Sequence, residues 1–104
     1  MNHDQAVQQL AALAHSTRLQ IYRTLVVAGA AGKQPGELIE QLALANATLS
    51  FHLKTLHQAG LVQVEQQGRA LHYRANYSAM NSLLGFLSEN CCQGQPCELN
   101  HGCC

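Results

Sequence analysis

At 104 residues the chain has room for one small domain. It is 47% apolar and only 12% charged, and its six basic and six acidic side chains cancel. Bulk charge therefore gives no pull towards nucleic acid, so few solvated groups on so small a core favour pairing with a second copy, and no apolar run approaches the roughly 20 residues that span a bilayer. The start, Met1-Asn-His-Asp4, has neither a basic segment nor an apolar one behind it, so a cytosolic location is expected. In that compartment five cysteines, an odd number, point to metal or redox chemistry before a disulfide framework.

Asp4 to His15 repeats apolar residues at Val7, Leu10, Ala11 and Ala14, which predicts a first helix. Ser16 is placed to cap a second helix from Thr17, with Leu19, Tyr22, Leu25 and Val26 on its buried side, and Ala28-Gly-Ala-Ala-Gly32 breaks it. His15, at a helix end before that cap, is assigned a structural or solvated role.

Glu37 to Gly60 holds two short helices joined by a tight connection. Pro35 suits a first turn, because its missing N–H would be unpaired there. Leu38, Ile39 and Leu42 give a one-sided apolar face, Leu44-Ala45-Asn46 makes the connection, and Asn46 is placed as the next cap. In the following helix Leu49, Leu53 and Leu56 share one stripe, and Gly60 stands where a left-handed residue would end it. Ala47, Ser50, Phe51, Lys54 and Gln58 fall on the opposite face. Short residues, hydroxyl and amide groups and one Lys are what a helix needs to enter a major groove.

After Gly60 the period changes from helical to alternating. Leu61 to Gln66 puts Val62 and Val64 on one face, Arg69 to Ala75 does the same with Leu71 and Tyr73, and Gln67-Gly68 is a plausible hairpin turn. Two strands behind a helix-turn-helix make a wing, with Arg69 at its tip to reach phosphate or the minor groove. A last helix follows, with Ser78 as its cap and Met80, Leu83, Leu84 and Leu87 on one side. Neither its stripe nor that of the first helix has a place in a three-helix core, so the two together are expected to form a homodimer interface, which suits a palindromic operator. The fold class is mainly α with a small β-hairpin, a winged helix-turn-helix in the order ααααββα. Residues 1–90 are assigned to DNA binding and dimerisation, and 91–104 to a polar, cysteine-rich tail.

The combination of Leu49-Ser-Phe-His-Leu-Lys-Thr-Leu56, Ala59-Gly-Leu-Val62 and Gly68-Arg69 with Tyr73 resembles the ArsR/SmtB family of metal-responsive winged-helix repressors. His15-Ser-Thr-Arg-Leu19 is similar to a segment where that family usually has Asp-Pro-Thr-Arg. The resemblance covers roughly residues 5 to 90 and implies a homodimer that represses its own operon and leaves DNA when an ion binds. The residues assigned to operator DNA are Ala47, Thr48, Ser50, Phe51, His52 and Lys54, with Arg69 at the wing. Two of the family's familiar sensing sites are missing. Glu37-Leu-Ile-Glu-Gln-Leu42 holds no thiol where the arsenic- and lead-type site has a Cys-x-Cys pair, and the last helix has no Asp or His for the zinc-type site.

Any sensing ligands must then come from the tail. Cys91, Cys92 and Cys97 offer three soft thiolates within seven residues, and Gly94 and Pro96 can bend the chain between them. Trivalent arsenic or antimony would take three in a pyramid, and the pattern resembles that of an arsenical-responsive subgroup of the family. Zinc or cadmium would want four ligands, with Cys103, Cys104 or His101 as the fourth. A redox switch is disfavoured, because Cys91 and Cys92 follow a helix C-terminus whose dipole opposes a thiolate and no Lys or Arg lies beyond Arg74. The expected function is an As(III)- or Sb(III)-released repressor. The rivals are a Zn(II), Cd(II) or redox sensor of the same fold, or a cytosolic metal-sequestering protein. An enzyme is not expected, since no cysteine precedes a phosphate-cradling loop.

Overall fold

The computed structural model of the protein describes residues 1–94. Helix α1 (His3–Leu13) opens on a reciprocal cap: Asn2 accepts from the Gln5 N–H at 2.8 Å, and Gln5 Oε1 accepts from the Asn2 N–H at 3.1 Å. It turns Ala6, Gln9 and Ala12 inward. The buried face is thus one step round the helix from the expected stripe, because two alanines let the α1 backbone approach its neighbours closely. Val7 and Leu10 stay 51% and 41% exposed.

Helix α2 (Ser16–Ala28) is capped by His15 and not by Ser16: the His15 Nδ1 accepts from the Thr17 N–H at 3.2 Å. Ile21, Tyr22 and Leu25 are buried, whereas Leu19, expected inside, is exposed. Helix α3 (Pro35–Leu42) has its proline in the first turn, and Glu37 Oε1 accepts from the Gln34 N–H at 2.9 Å. The chain leaves α3 through Ala43, a left-handed residue at φ 54°, and enters α4 (Asn46–Gln58). Asn46 is the first helical residue, so Ala45 occupies the cap position and the expected side-chain cap does not form.

Ile21, Leu25, Leu38, Leu49, Leu56 and Leu61 are fully buried and make the centre of the core, each contributing roughly 1.5–3 kcal/mol. Gly60 ends α4 at φ +79°, as its position requires, and the Leu61 N–H donates to the Leu56 carbonyl. Strands β1 (Val62–Gln67) and β2 (Ala70–Ala75) pair antiparallel from Val62↔Ala75 to Gln67↔Ala70. The two turn residues are therefore Gly68 and Arg69, one later than expected, with Gly68 at φ +64°.

A third piece of backbone joins this hairpin. Lys33 and Tyr73 exchange two N–H···O bonds of 2.8 Å as an antiparallel bridge. Gly32, at φ +69°, precedes it, and a Cβ there would collide with the Tyr73 carbonyl oxygen. Helix α5 (Tyr77–Ser88) closes the fold. Asn76, not Ser78, caps it by accepting from the Ala79 N–H at 3.2 Å, while the Asn76 amide donates to the Gly60 carbonyl at 2.9 Å. The Tyr77 hydroxyl donates to the Val26 carbonyl at 2.7 Å and fastens α5 to α2. The order ααααββα stands, and no helix among the described residues is long and apolar enough to cross a membrane.

Candidate nucleic-acid interface and cysteine segment

The leucine stripe of α4 orients everything else on that helix. With Leu49, Leu53 and Leu56 buried, Ala47, Thr48, Ser50, Phe51 and Lys54 are exposed, Phe51 to 63%. The first-turn N–H groups of α4, which have no intrahelical partner, also lack a side-chain cap and stand at the positive end of the helix dipole. Such a helix start attracts a phosphate oxygen. Lys54 lies beside the wing: Ser50, Leu53, Lys54 and His57 of α4 share a shallow cavity of about 230 Å³ with Val64 and Tyr73.

His52 departs from the sequence expectation. It was placed with the groove residues, yet it is 6% exposed and sits on the buried side of α4. Its Nδ1 lies 3.3 Å from the Arg18 guanidinium, whose Nε donates to the Ala12 carbonyl at 2.6 Å, and its ring centroid is 4.7 Å from that of His15. Burial, together with His15 and Arg18, holds the His52 imidazole below its ordinary titration range. A neutral ring accepts the Arg18 hydrogen bond through Nδ1, so this cluster ties α4 to the end of α1 and the start of α2. It buttresses the exposed face and does not belong to it.

In the wing, Arg74 is occupied: it pairs with Glu65 at 2.9 Å and donates to Gln63 at 3.2 Å. Arg69, exposed in the turn, has no carboxylate partner among the described residues. Lys54 and Arg69 thus supply cations on the helix and on the wing beside it.

On another face, α1 and α5 are in contact, with Ala6 and Leu83 buried; Leu84 and Leu87 of α5 are exposed to 45% and 57%, and Val7 and Leu10 of α1 are exposed as well. After α5 the chain turns at Asn90, φ 57°, into a short 3-10 segment, Cys91–Gly94, containing Gln93 at φ 57°. Cys91 is a free, half-buried thiol there. Cys92 belongs to the same segment, while Cys97, His101, Cys103 and Cys104 lie outside the described residues. Among the described residues no three His, Cys, Asp or Glu side chains gather as a metal site.

The sequence matches the helix-turn-helix domain family over residues 13–65. It is also 35% identical over 77 residues to YceK of Bacillus subtilis (strain 168), an uncharacterized HTH-type transcriptional regulator, across 73% of this chain and 76% of the relative. The chain belongs to the helix-turn-helix family of transcriptional regulators. Among solved structures, this regulator is similar to an ArsR-like transcriptional regulator from Rhodococcus sp. RHA1, with a TM-score of 0.74 and 28% identity over 83% of this chain and 78% of that one. It is likewise similar to a possible transcriptional regulator for arsenical resistance, with a TM-score of 0.67 and 26% identity over 78% and 81% of the two chains. The architecture is that of a winged-helix, ArsR-like regulator, and it is not an enzyme.

Two features of the regulator were missed in its sequence. His52 falls at i+3 from Leu49 and i−4 from Leu56, inside the stripe, so periodicity alone could have placed it inward. The helix break read from the sequence ends at Gly32, and Lys33 has no assigned role there. Gly32-Lys33-Gln34-Pro35 carries no alternation that would announce a strand.

Proposed function

We propose that this regulator is a homodimeric repressor that binds operator DNA through α4 and the wing and is released when As(III) or Sb(III) binds Cys91, Cys92 and Cys97. The observation that carries the reading is the placement of Cys91 and Cys92 directly behind α5, the helix that carries exposed Leu84 and Leu87. Two turns with left-handed residues, at Asn90 and Gln93, bracket the vicinal pair and bend the chain around it, which suits a donor set that must close on itself. The donor chemistry fits: three soft sulfurs match a thiophilic trivalent ion, and the thiols lose their protons on binding. One structural neighbour is itself a possible transcriptional regulator for arsenical resistance, which supports the same reading.

On the DNA side, Thr48, Ser50 and Phe51 face base edges beside Ala47, Lys54 and Arg69 neutralise phosphates, and the α4 N-terminus takes one more. Two copies joined through α1 and α5 present two α4 helices to successive half-sites. Drawing the three sulfurs together pulls on the C-terminal end of α5, and a shift there re-spaces the two α4 helices. Allosteric coupling of about 1–3 kcal/mol is usual, and release of a repressor needs the upper end.

The test is fluorescence anisotropy of the reduced protein on DNA from upstream of its own gene, titrated with As(III), Sb(III), Zn(II) and Cd(II). Release near one equivalent of As(III) or Sb(III) per chain is expected. Cys91→Ser, Cys92→Ser and Cys97→Ser should each bind DNA as before and fail to leave it. Release by As(III) in all three variants would overturn the ligand set, and release only by Zn(II) or Cd(II) would replace it with a four-coordinate one.

A further inference from the structure

An open groove lies away from α4, and neither α4 nor Cys91 lines it. It has a volume of about 680 Å³ and runs along α2 to the end of α3 and the Lys33 bridge. Its walls combine two chemistries. Leu19 and Leu42 are apolar, and Val27 stands almost fully exposed at 83%. Arg23 and Lys33 line the same space, Thr24 adds a hydroxyl, and no Asp or Glu is part of the lining. Neither cation pairs with a carboxylate among the described residues, whereas Arg74 on the wing does. Leu19, Arg23 and Val27 recur every four residues, so one face of α2 presents leucine, cation and valine in a row.

Two cations without carboxylate partners among the described residues, set beside exposed apolar side chains, complement a ligand with one anionic end and one apolar body. The volume falls in the range of small-molecule sites. We infer that this groove between α2, α3 and Lys33 is a binding site for a small amphiphilic anion, a carboxylate or sulfonate with an apolar body, held at its charged end by Arg23 and Lys33 and along its body by Leu19, Val27 and Leu42. The site uses no cysteine and is independent of the ion-sensing reading above.

The experiment is calorimetric titration of the full-length reduced protein with sodium decanoate, against decanol as the neutral counterpart. The wild type should bind decanoate at one site per chain and at least tenfold more tightly than decanol. Arg23→Gln and Lys33→Gln should each weaken decanoate about tenfold, the usual scale for one charge-assisted contact, and leave decanol unchanged. Val27→Asp, which sets a carboxylate at the rim, should weaken decanoate as well. These are surface changes, and an unaltered denaturation midpoint is expected for all three. Equal binding of decanoate and decanol, or decanoate binding that ignores all three substitutions, would assign the ligand to the apolar α1–α5 face and overturn the proposal. No decanoate binding, with Arg23→Gln and Lys33→Gln instead flattening the salt dependence of DNA affinity, would overturn it in favour of phosphate contacts.

Discussion

His52 carries the clearest pH consequence. Buried beside Arg18 and His15, it stays neutral in the folded protein below its ordinary value of 6.5, while the unfolded chain protonates near that value. Between the two values the unfolded state binds the extra proton, so the stability from neutral His52 is complete above 6.5 and is lost as pH falls towards the folded value. Urea denaturation from pH 7.5 to 5 should show that decline, and His52→Gln should flatten it; an unchanged acid limb would remove His52 as its source. The lesson for reading the sequence is also local. Composition around His52 is that of a groove face, and only its spacing from Leu49 and Leu56 reveals the side on which it lies. Caps were harder still. His15, Ala45 and Asn76 occupy cap positions where Ser16, Asn46 and Ser78 were expected, because a shift of a helix start by one or two residues costs little and is decided by tertiary contacts such as Asn76 to the Gly60 carbonyl.

The elements that meet DNA in the proposed function were legible because their signals are redundant. In α4 the leucine period, the terminating Gly60 and the alternation after it all require the same helix-turn-helix and wing. Lys54→Ala and Arg69→Ala should each weaken operator binding, with the slope of log affinity against log salt falling by about one per variant. Binding measured from 50 to 300 mM salt checks this, and an unchanged slope would take that residue off the phosphates. The Lys33–Tyr73 bridge had no such redundancy. Gly32→Ala forces a side chain into a left-handed backbone and against the Tyr73 carbonyl, and a loss of at least about 1–3 kcal/mol is expected in chemical denaturation.

For the molecule as a whole, the high apolar share of the sequence goes with four exposed apolar side chains on α1 and α5, Val7, Leu10, Leu84 and Leu87, which the proposed homodimer would cover. The sequence reading puts Val7 and Leu10 on a stripe with no place in the core, and both are exposed on the chain; the inward turn of Ala6, Gln9 and Ala12 is not part of that reading. If a second copy covers those four exposed side chains, the double substitution Leu84→Glu and Leu87→Glu should give a folded monomer in sedimentation equilibrium and lower operator affinity by a hundredfold or more. A dimer that persists in this variant would move the interface elsewhere.

The Lys33–Tyr73 bridge also bears on how the protein assembles. Between those two residues lie α3, α4, β1 and the first half of β2, so the bridge closes a loop around the whole helix-turn-helix. Such a closure carries a chain-entropy cost that is recovered only once the enclosed helices have packed. The bridge amides of Lys33 and Tyr73 are therefore expected to gain protection late in refolding and to lose it first in native-state hydrogen exchange. The wing is then expected to behave as a latch, set after α4 is in place and able to open without unfolding it.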